Sequence, residues 1–137
     1  MSLREGIRNT YGAYHWGFLL SPKKSNGRDN MAFDVSDGVR LGETGHELNL
    51  ERDWSFRVKN NVNPLESGRL IGRVMIGKVS PQTTENDLET ILRGVALPDK
   101  ESGERCRHWV WNAISTLQNE SVIPNFDIEE FKSKQCL

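Results

Sequence analysis

Glu104-Arg105-Cys106-Arg107-His108-Trp109-Val110-Trp111-Asn112-Ala113-Ile114-Ser115-Thr116-Leu117 is the stretch that decides the fold. Cys106, Trp109, Val110, Ala113, Ile114 and Leu117 recur at the i, i+3, i+4, i+7 spacing of a single buried face, which predicts a helix over 104–118. A helix with one apolar stripe must bury it against a second layer. The segments before it read as that layer.

Immediately upstream, Leu88, Ile91 and Leu92 fall at helical spacing within 85–93, after Pro81-Gln82-Thr83-Thr84 and before the stop at Gly94. Residues 14–79 read mainly as strands. Tyr14 to Leu20 is aromatic and aliphatic and ends in the turn formers Ser21-Pro22-Lys23-Lys24-Ser25-Asn26-Gly27. Met31-Ala32-Phe33-Asp34-Val35 fits a second strand antiparallel to the first. Trp54-Ser55-Phe56-Arg57-Val58 alternates with period two, and Leu70 to Val79 does so in part, with Asn60-Asn61-Val62-Asn63-Pro64 between them. Gly72 and Gly77 within the last strand mark bulges or close packing.

Three segments carry weaker patterns. Residues 1–13 mix charge with Gly6 and Gly12 and read as a loose leader or a poorly formed first element. Val39 to Asp53 reads as a long surface connection with room for a short strand at its end. Pro124 to Phe131 reads as a turn opening a short C-terminal helix over 126–133. Strands first and helices after imply an α+β fold: an antiparallel sheet of about four or more strands with helices packed on it, in one domain spanning 1–137.

Composition sets the outer bounds. A chain of 137 residues with 36% hydrophobic and 27% charged residues is long enough to bury a core and too apolar to stay disordered. Eighteen basic against nineteen acidic side chains leave no electrostatic footprint for nucleic acid. The longest apolar run, Trp16 to Leu20, is far below the roughly 20 residues of a membrane span. The first residues lack a secretion signal, so a cytoplasmic protein without integral membrane association is expected, with Cys106 and Cys136 both free in a reducing compartment.

Chemistry centres on Cys106. The first turn of a helix offers unsatisfied backbone N–H groups and the positive end of the macrodipole, which suit a nucleophilic sulfur. His15, flanked by Tyr14 and Trp16, is the histidine whose surroundings resemble the wall of a site, and Asp34 on the neighbouring strand is placed to orient its ring. The plainer reading stands beside this one. A single cysteine on an apolar helical face is usually a small buried hydrophobe, and a strand histidine is usually satisfied by backbone.

Tyr14-His15-Trp16-Gly17-Phe18-Leu19-Leu20, followed far downstream by Cys106-Arg107-His108-Trp109-Val110, resembles the circularly permuted branch of the NlpC/P60 papain-like superfamily. Lecithin:retinol acyltransferase-like and HRAS-like-suppressor proteins belong to that branch. The resemblance implies a permuted papain-like fold, with His15 as base, Asp34 as the third polar residue, Cys106 as nucleophile and His108 as a scaffold histidine. Trp109 and Val110 match the aromatic and aliphatic pair of the helix motif. The chain departs from the pattern at Arg105, where relatives often have Asn, at Arg107 in place of Glu, and at Asp34, where many have a second His. These departures, and the lack of an apolar anchor after the helix, favour a soluble substrate over lipid acyltransfer. The whole chain also resembles a group of small fungal proteins, a likeness that supplies no reaction.

The remaining candidates have simpler explanations. His46, between glycine-bounded turns, reads as a solvated turn residue. Cys106 and His108 are two apart and face different sides of a helix, so no metal site is expected, and no glycine pattern supports a nucleotide. No cofactor is expected. Tyr14, Trp16 and Trp109 are candidate pocket residues, although tryptophans in a small domain are first of all core material. Two functions follow. One is a cysteine-dependent hydrolase or acyltransferase acting on an amide, ester or thioester of a small-molecule, acyl or peptide-like substrate. The other is a non-catalytic binding or accessory module with a ligand pocket. The sequence leaves the oligomeric state open.

Overall fold

The computed structural model describes residues 1–10, 13–38, 41–63 and 70–130, with backbone alone at 5–10, 13–14 and 70–75. Its elements are β1 (Ser2–Thr10), β2 (Ala13–Ser21), β3 (Asn30–Ser36), β4 (Ser55–Val62), β5 (Leu70–Lys78), α1 (Glu85–Arg93) and α2 (Cys106–Asn119). The strands form one five-stranded sheet in the order β4-β3-β2-β1-β5, every neighbouring pair antiparallel. The α+β expectation, strands first and helices after, describes this architecture.

The alternation within the strands chooses the core face. Phe18 and Leu20 of β2 and Phe33 and Val35 of β3 are buried together with Leu3 and Ile76, whereas Asp34 interrupts the apolar run on the other face. Against this core α2 lays Trp109, Val110, Ala113, Ile114 and Leu117, all essentially without exposure, and α1 adds Leu88 and Leu92. The Trp109 ring meets Phe18 edge-on at 5.6 Å and Phe56 at 5.9 Å between centroids, fastening the helix to both β2 and β4.

Local signals account for the boundaries. Thr84 opens α1 with a reciprocal cap: its hydroxyl accepts from Asp87 N–H at 3.1 Å, and the Asp87 carboxylate accepts from Thr84 N–H at 3.0 Å. Gly94 closes that helix. Both strand glycines sit at register shifts between β1 and β5, which pair Leu3 with Gly77 but Arg4 with Met75, and Ile7 with Gly72 but Arg8 with Leu70. Gly77 has φ 151°, and a Cβ there would stand 2.9 Å from Pro124 Cδ. Backbone conformation and close packing both require glycine there.

Several expectations need correction. Residues 1–13 are not a loose leader, because Ser2–Thr10 forms β1, with β2 on one side and β5 on the other. Its order comes from main-chain pairing along both edges, which its mixed side chains do not reveal; Tyr11 and Gly12 lie outside the described residues. Helix α2 starts at Cys106 rather than 104, since Glu104 turns back to accept from Asp99 N–H at 2.9 Å. Asn60 to Val62 continue β4 instead of turning. In the described part of Val39 to Asp53 there is no strand at the end, only an isolated bridge between Leu41 and Glu47. Asn49 closes that loop by donating to the carbonyls of Asp37, Gly38 and Asp53. Of the C-terminal helix expected over 126–133, residues 128–130 are helical and 131–133 lie outside the described residues, as does Cys136. Among the described residues no helix is long and apolar enough to cross a membrane.

Ala113 lies at the centre of the α2 face and has no exposure. Ala113→Leu is expected to destabilise the fold by about 1–3 kcal/mol through overpacking, read by urea or thermal unfolding. An unchanged midpoint would mean that this face is not packed against the sheet.

Candidate active site

The β2–β3 ladder runs from Leu20 opposite Met31 to Gly17 opposite Asp34. The next β2 amide, that of Trp16, donates to Cys106 Sγ at 3.4 Å. Because Cys106 is the first residue of α2, burial of the helix stripe carries its sulfur to the point where the β2–β3 ladder ends. Among the described residues Cys106 is a buried cysteine outside any disulfide, with 7% of its surface exposed.

His15 lies two residues from Gly17 and therefore on the same face as Asp34 across the ladder. Its Nε2 is 2.8 Å from Asp34 Oδ2, and its ring is also hydrogen-bonded to the Cys106 side chain. Gly17 is what allows this approach. A Cβ at that position would stand 2.9 Å from the Phe33 carbonyl oxygen and 3.0 Å from Asp34 Cβ, pushing β3 away. The three residues expected from the sequence as a chemical constellation are thus neighbours, joined in the order Cys106, His15, Asp34.

The same geometry holds a residue that sequence reasoning missed. Arg57 on β4 is the register partner of Asp34, and it grips the carboxylate with both arms of its fork, Nε to Oδ1 and Nη2 to Oδ2, each at 2.8 Å. The one available signal was that Asp34 and Arg57 are opposite charges at polar positions of two neighbouring strands. Their alignment depends on register, which neither segment contains.

The other expected residues have structural places. His108 accepts the Arg105 N–H on Nδ1 at 2.9 Å and so caps α2 from within; the Arg105 carbonyl accepts from the His108 N–H at 3.0 Å, while the Arg105 side chain has no acceptor to offer. Trp109 is 1% exposed and is core rather than pocket wall, and Trp16 is buried with its ring edge-on to Trp111 at 6.1 Å. The Tyr14 side chain lies outside the described residues. His46 is exposed and bonded to Thr44 within its loop. Among the described residues, no group of three or more His, Cys, Asp or Glu side chains could hold a metal ion.

Burial alone would pull the His15 imidazolium down, but hydrogen bonds to Asp34 and Cys106 and the negative charge there outweigh it, pushing its pKa up to about 9. For Asp34 burial acts upward, and the bonds and charges of His15 and Arg57 more than offset it, holding the carboxyl below the usual range. A raised histidine pKa gives stability that is fully present below the unfolded value near 6.5 and is lost as pH rises through about 9. The depressed carboxyl gives stability present above its unfolded value of 3.8 and lost as pH falls through its lower folded value. The stability gap between the wild type and His15→Gln is therefore expected to be widest from about pH 4 to 6.5. It should narrow by about 2–4 kcal/mol between pH 6.5 and 9, measured by urea unfolding. A gap constant across that range would mean that His15 is not held as an imidazolium.

Comparison with known proteins adds one assignment. A search of curated proteins and a search of solved structures each found no match. A family model described as a family of unknown function, DUF6914, matches residues 3–132, a span that includes His15, Asp34, Arg57 and Cys106. The chain belongs to this family, DUF6914.

Proposed function

We propose that the protein is a cysteine-dependent hydrolase or acyltransferase acting on an amide, ester or thioester, with a permuted papain-like arrangement of its sheet and nucleophile helix. The observation that carries this reading is the unbroken hydrogen-bonded series from Cys106 through His15 to Asp34 at the start of α2. A nucleophile, a base in contact with it and a third group fixing that base are the parts that covalent acyl transfer requires.

The chemistry closes in two half-reactions. Cys106 sulfur attacks the carbonyl carbon, and the ring of His15 carries the proton that left the thiol. A first-turn backbone N–H of α2 serves the developing oxyanion. The tetrahedral intermediate collapses as His15 gives its proton to the departing amine, alcohol or thiol, leaving a thioester on Cys106. Water, or another acceptor, then attacks this thioester while His15 takes its proton. Carboxylic acid or the transferred acyl product leaves, and the thiol regains its proton from the imidazolium. An imidazolium that persists to about pH 9 suits the first half-reaction, since the proton for the leaving group is already on the ring at neutral pH. The near-zero net charge fits a small acyl or peptide-like substrate rather than a polyanion.

p-Nitrophenyl acetate serves as a substrate probe. The expected result is a burst of p-nitrophenolate matched by an acetyl group on Cys106 in the peptide mass spectrum, with Cys136 as the second thiol for comparison. His15→Gln should suppress the burst at pH 7 by about 10²-fold or more, and Cys106→Ser should abolish it. Acetylation of Cys136 alone, or a Cys106 that reacts equally with and without His15, would sink the enzymatic reading. The non-catalytic module would then take its place.

A further inference from the structure

Asp34 is held from two directions, and the second has no counterpart in a simple cysteine-histidine-carboxylate series. On one side Oδ2 accepts from His15 Nε2; on the other, Arg57 occupies both carboxylate oxygens, sharing Oδ2 with the histidine. A carboxylate bound by one ring nitrogen can still rotate about its side-chain torsions. One bound by a planar two-armed donor cannot do so without breaking both arms. Gly17 fixes the position of the Asp34 backbone from the neighbouring strand, and Arg57 fixes the plane of its carboxylate.

We infer that Arg57 is the positioning residue of this site: its fork sets the Asp34 carboxylate in the orientation that aligns the His15 ring with Cys106. The inference rests on the thiol-transfer reading for its catalytic consequence but not for its structural one. Arg57 acts through Asp34 and touches no reacting atom. Its charge has a second effect. Among the described side chains, Asp34 from β3 and Cys106 from α2 raise the proton affinity of His15, while the Arg57 guanidinium on β4 neutralises part of the Asp34 charge; on the third side, β1 places Arg8 as the register partner of His15. Removing the Arg57 cation leaves the carboxylate more available to the imidazolium, so His15 should hold its proton to higher pH. Geometry and charge are therefore separable. Lysine keeps the charge and loses the fork; glutamine loses the charge.

The test follows His15 by nuclear magnetic resonance titration of the full chain as wild type, Arg57→Lys and Arg57→Gln, with His46 and His108 as internal references. In parallel it measures the rate at which p-nitrophenyl acetate acylates Cys106. Arg57→Gln should raise the His15 midpoint, Arg57→Lys should leave it near that of the wild type, and both should slow acylation by about 10²-fold through misplacement of the ring. Three results would overturn the inference: an unchanged His15 midpoint in Arg57→Gln, wild-type acylation in Arg57→Lys, or movement of all three histidines together, which marks general loosening. If Arg57→Gln fails to fold, the acylation rate of Arg57→Lys decides the matter. If the wild type itself is never acylated, the thiol-transfer reading falls, and the titrations alone judge whether Arg57 positions His15.

Discussion

Burial of the apolar stripe of α2 against β2 and β3 is the constraint from which the rest of the structure follows. Trp109, Val110, Ala113, Ile114 and Leu117 leave water almost completely, and each large side chain among them contributes about 1.5–3 kcal/mol. Arg105 cannot cap the helix with its own side chain, so the N-terminus is held by packing, by His108 reaching back to the Arg105 amide, and by the Trp16 amide on the Cys106 sulfur. A helix turns by about 100° per residue, and a slip of one position would carry Cys106 away from His15 while exposing half of the stripe. The energetic demand of the core thereby fixes where the thiol sits.

The polar face of the sheet solves a different problem. Asp34 and His15 are each mostly shielded from water, with side-chain exposures of 16%, and an isolated charge at either place would be costly. The cost is met by arranging the charges in series across three strands, Arg57 to Asp34 to His15, with the Cys106 side chain beyond. Each neighbour in that series carries the opposite sign or accepts a hydrogen bond. Breaking it at one point leaves a partner buried without compensation, which is why a group as far from the sulfur as Arg57 can influence the ring that touches it.

Much of this was legible in the residues. The i, i+3, i+4, i+7 pattern at 104–118 located α2 to within two residues, and Thr84 with Gly94 bounded α1, because caps and stripes are local properties of a helix. His15 and Asp34 stood out as polar, chemically competent residues within apolar strand segments, and Cys106 as a thiol in the first turn of a helix. Strand β1 was not legible. Its Ser2-Leu3-Arg4-Glu5 start looks solvated, and its place between β2 and β5 comes from hydrogen bonds made by the backbone, which every sequence possesses. Trp109 illustrates the converse error, since an aromatic beside a candidate nucleophile suggests a pocket until its complete burial against Phe18 and Phe56 is seen.

By itself the sequence determined where β2 to β5, α1 and α2 lie, though not β1, which of their faces are apolar, and which segments carry a thiol, an imidazole and a carboxylate. Only the tertiary structure decided that Gly17 stands opposite Asp34, that Asp34 stands opposite Arg57, and that the first residue of α2 meets the end of the β2–β3 ladder. The physical reason is the range of the forces involved. Periodicity and capping depend on neighbours a few positions away, whereas strand register is chosen by the packing of the whole core, and a shift of one residue would turn every side chain of a strand to the opposite face.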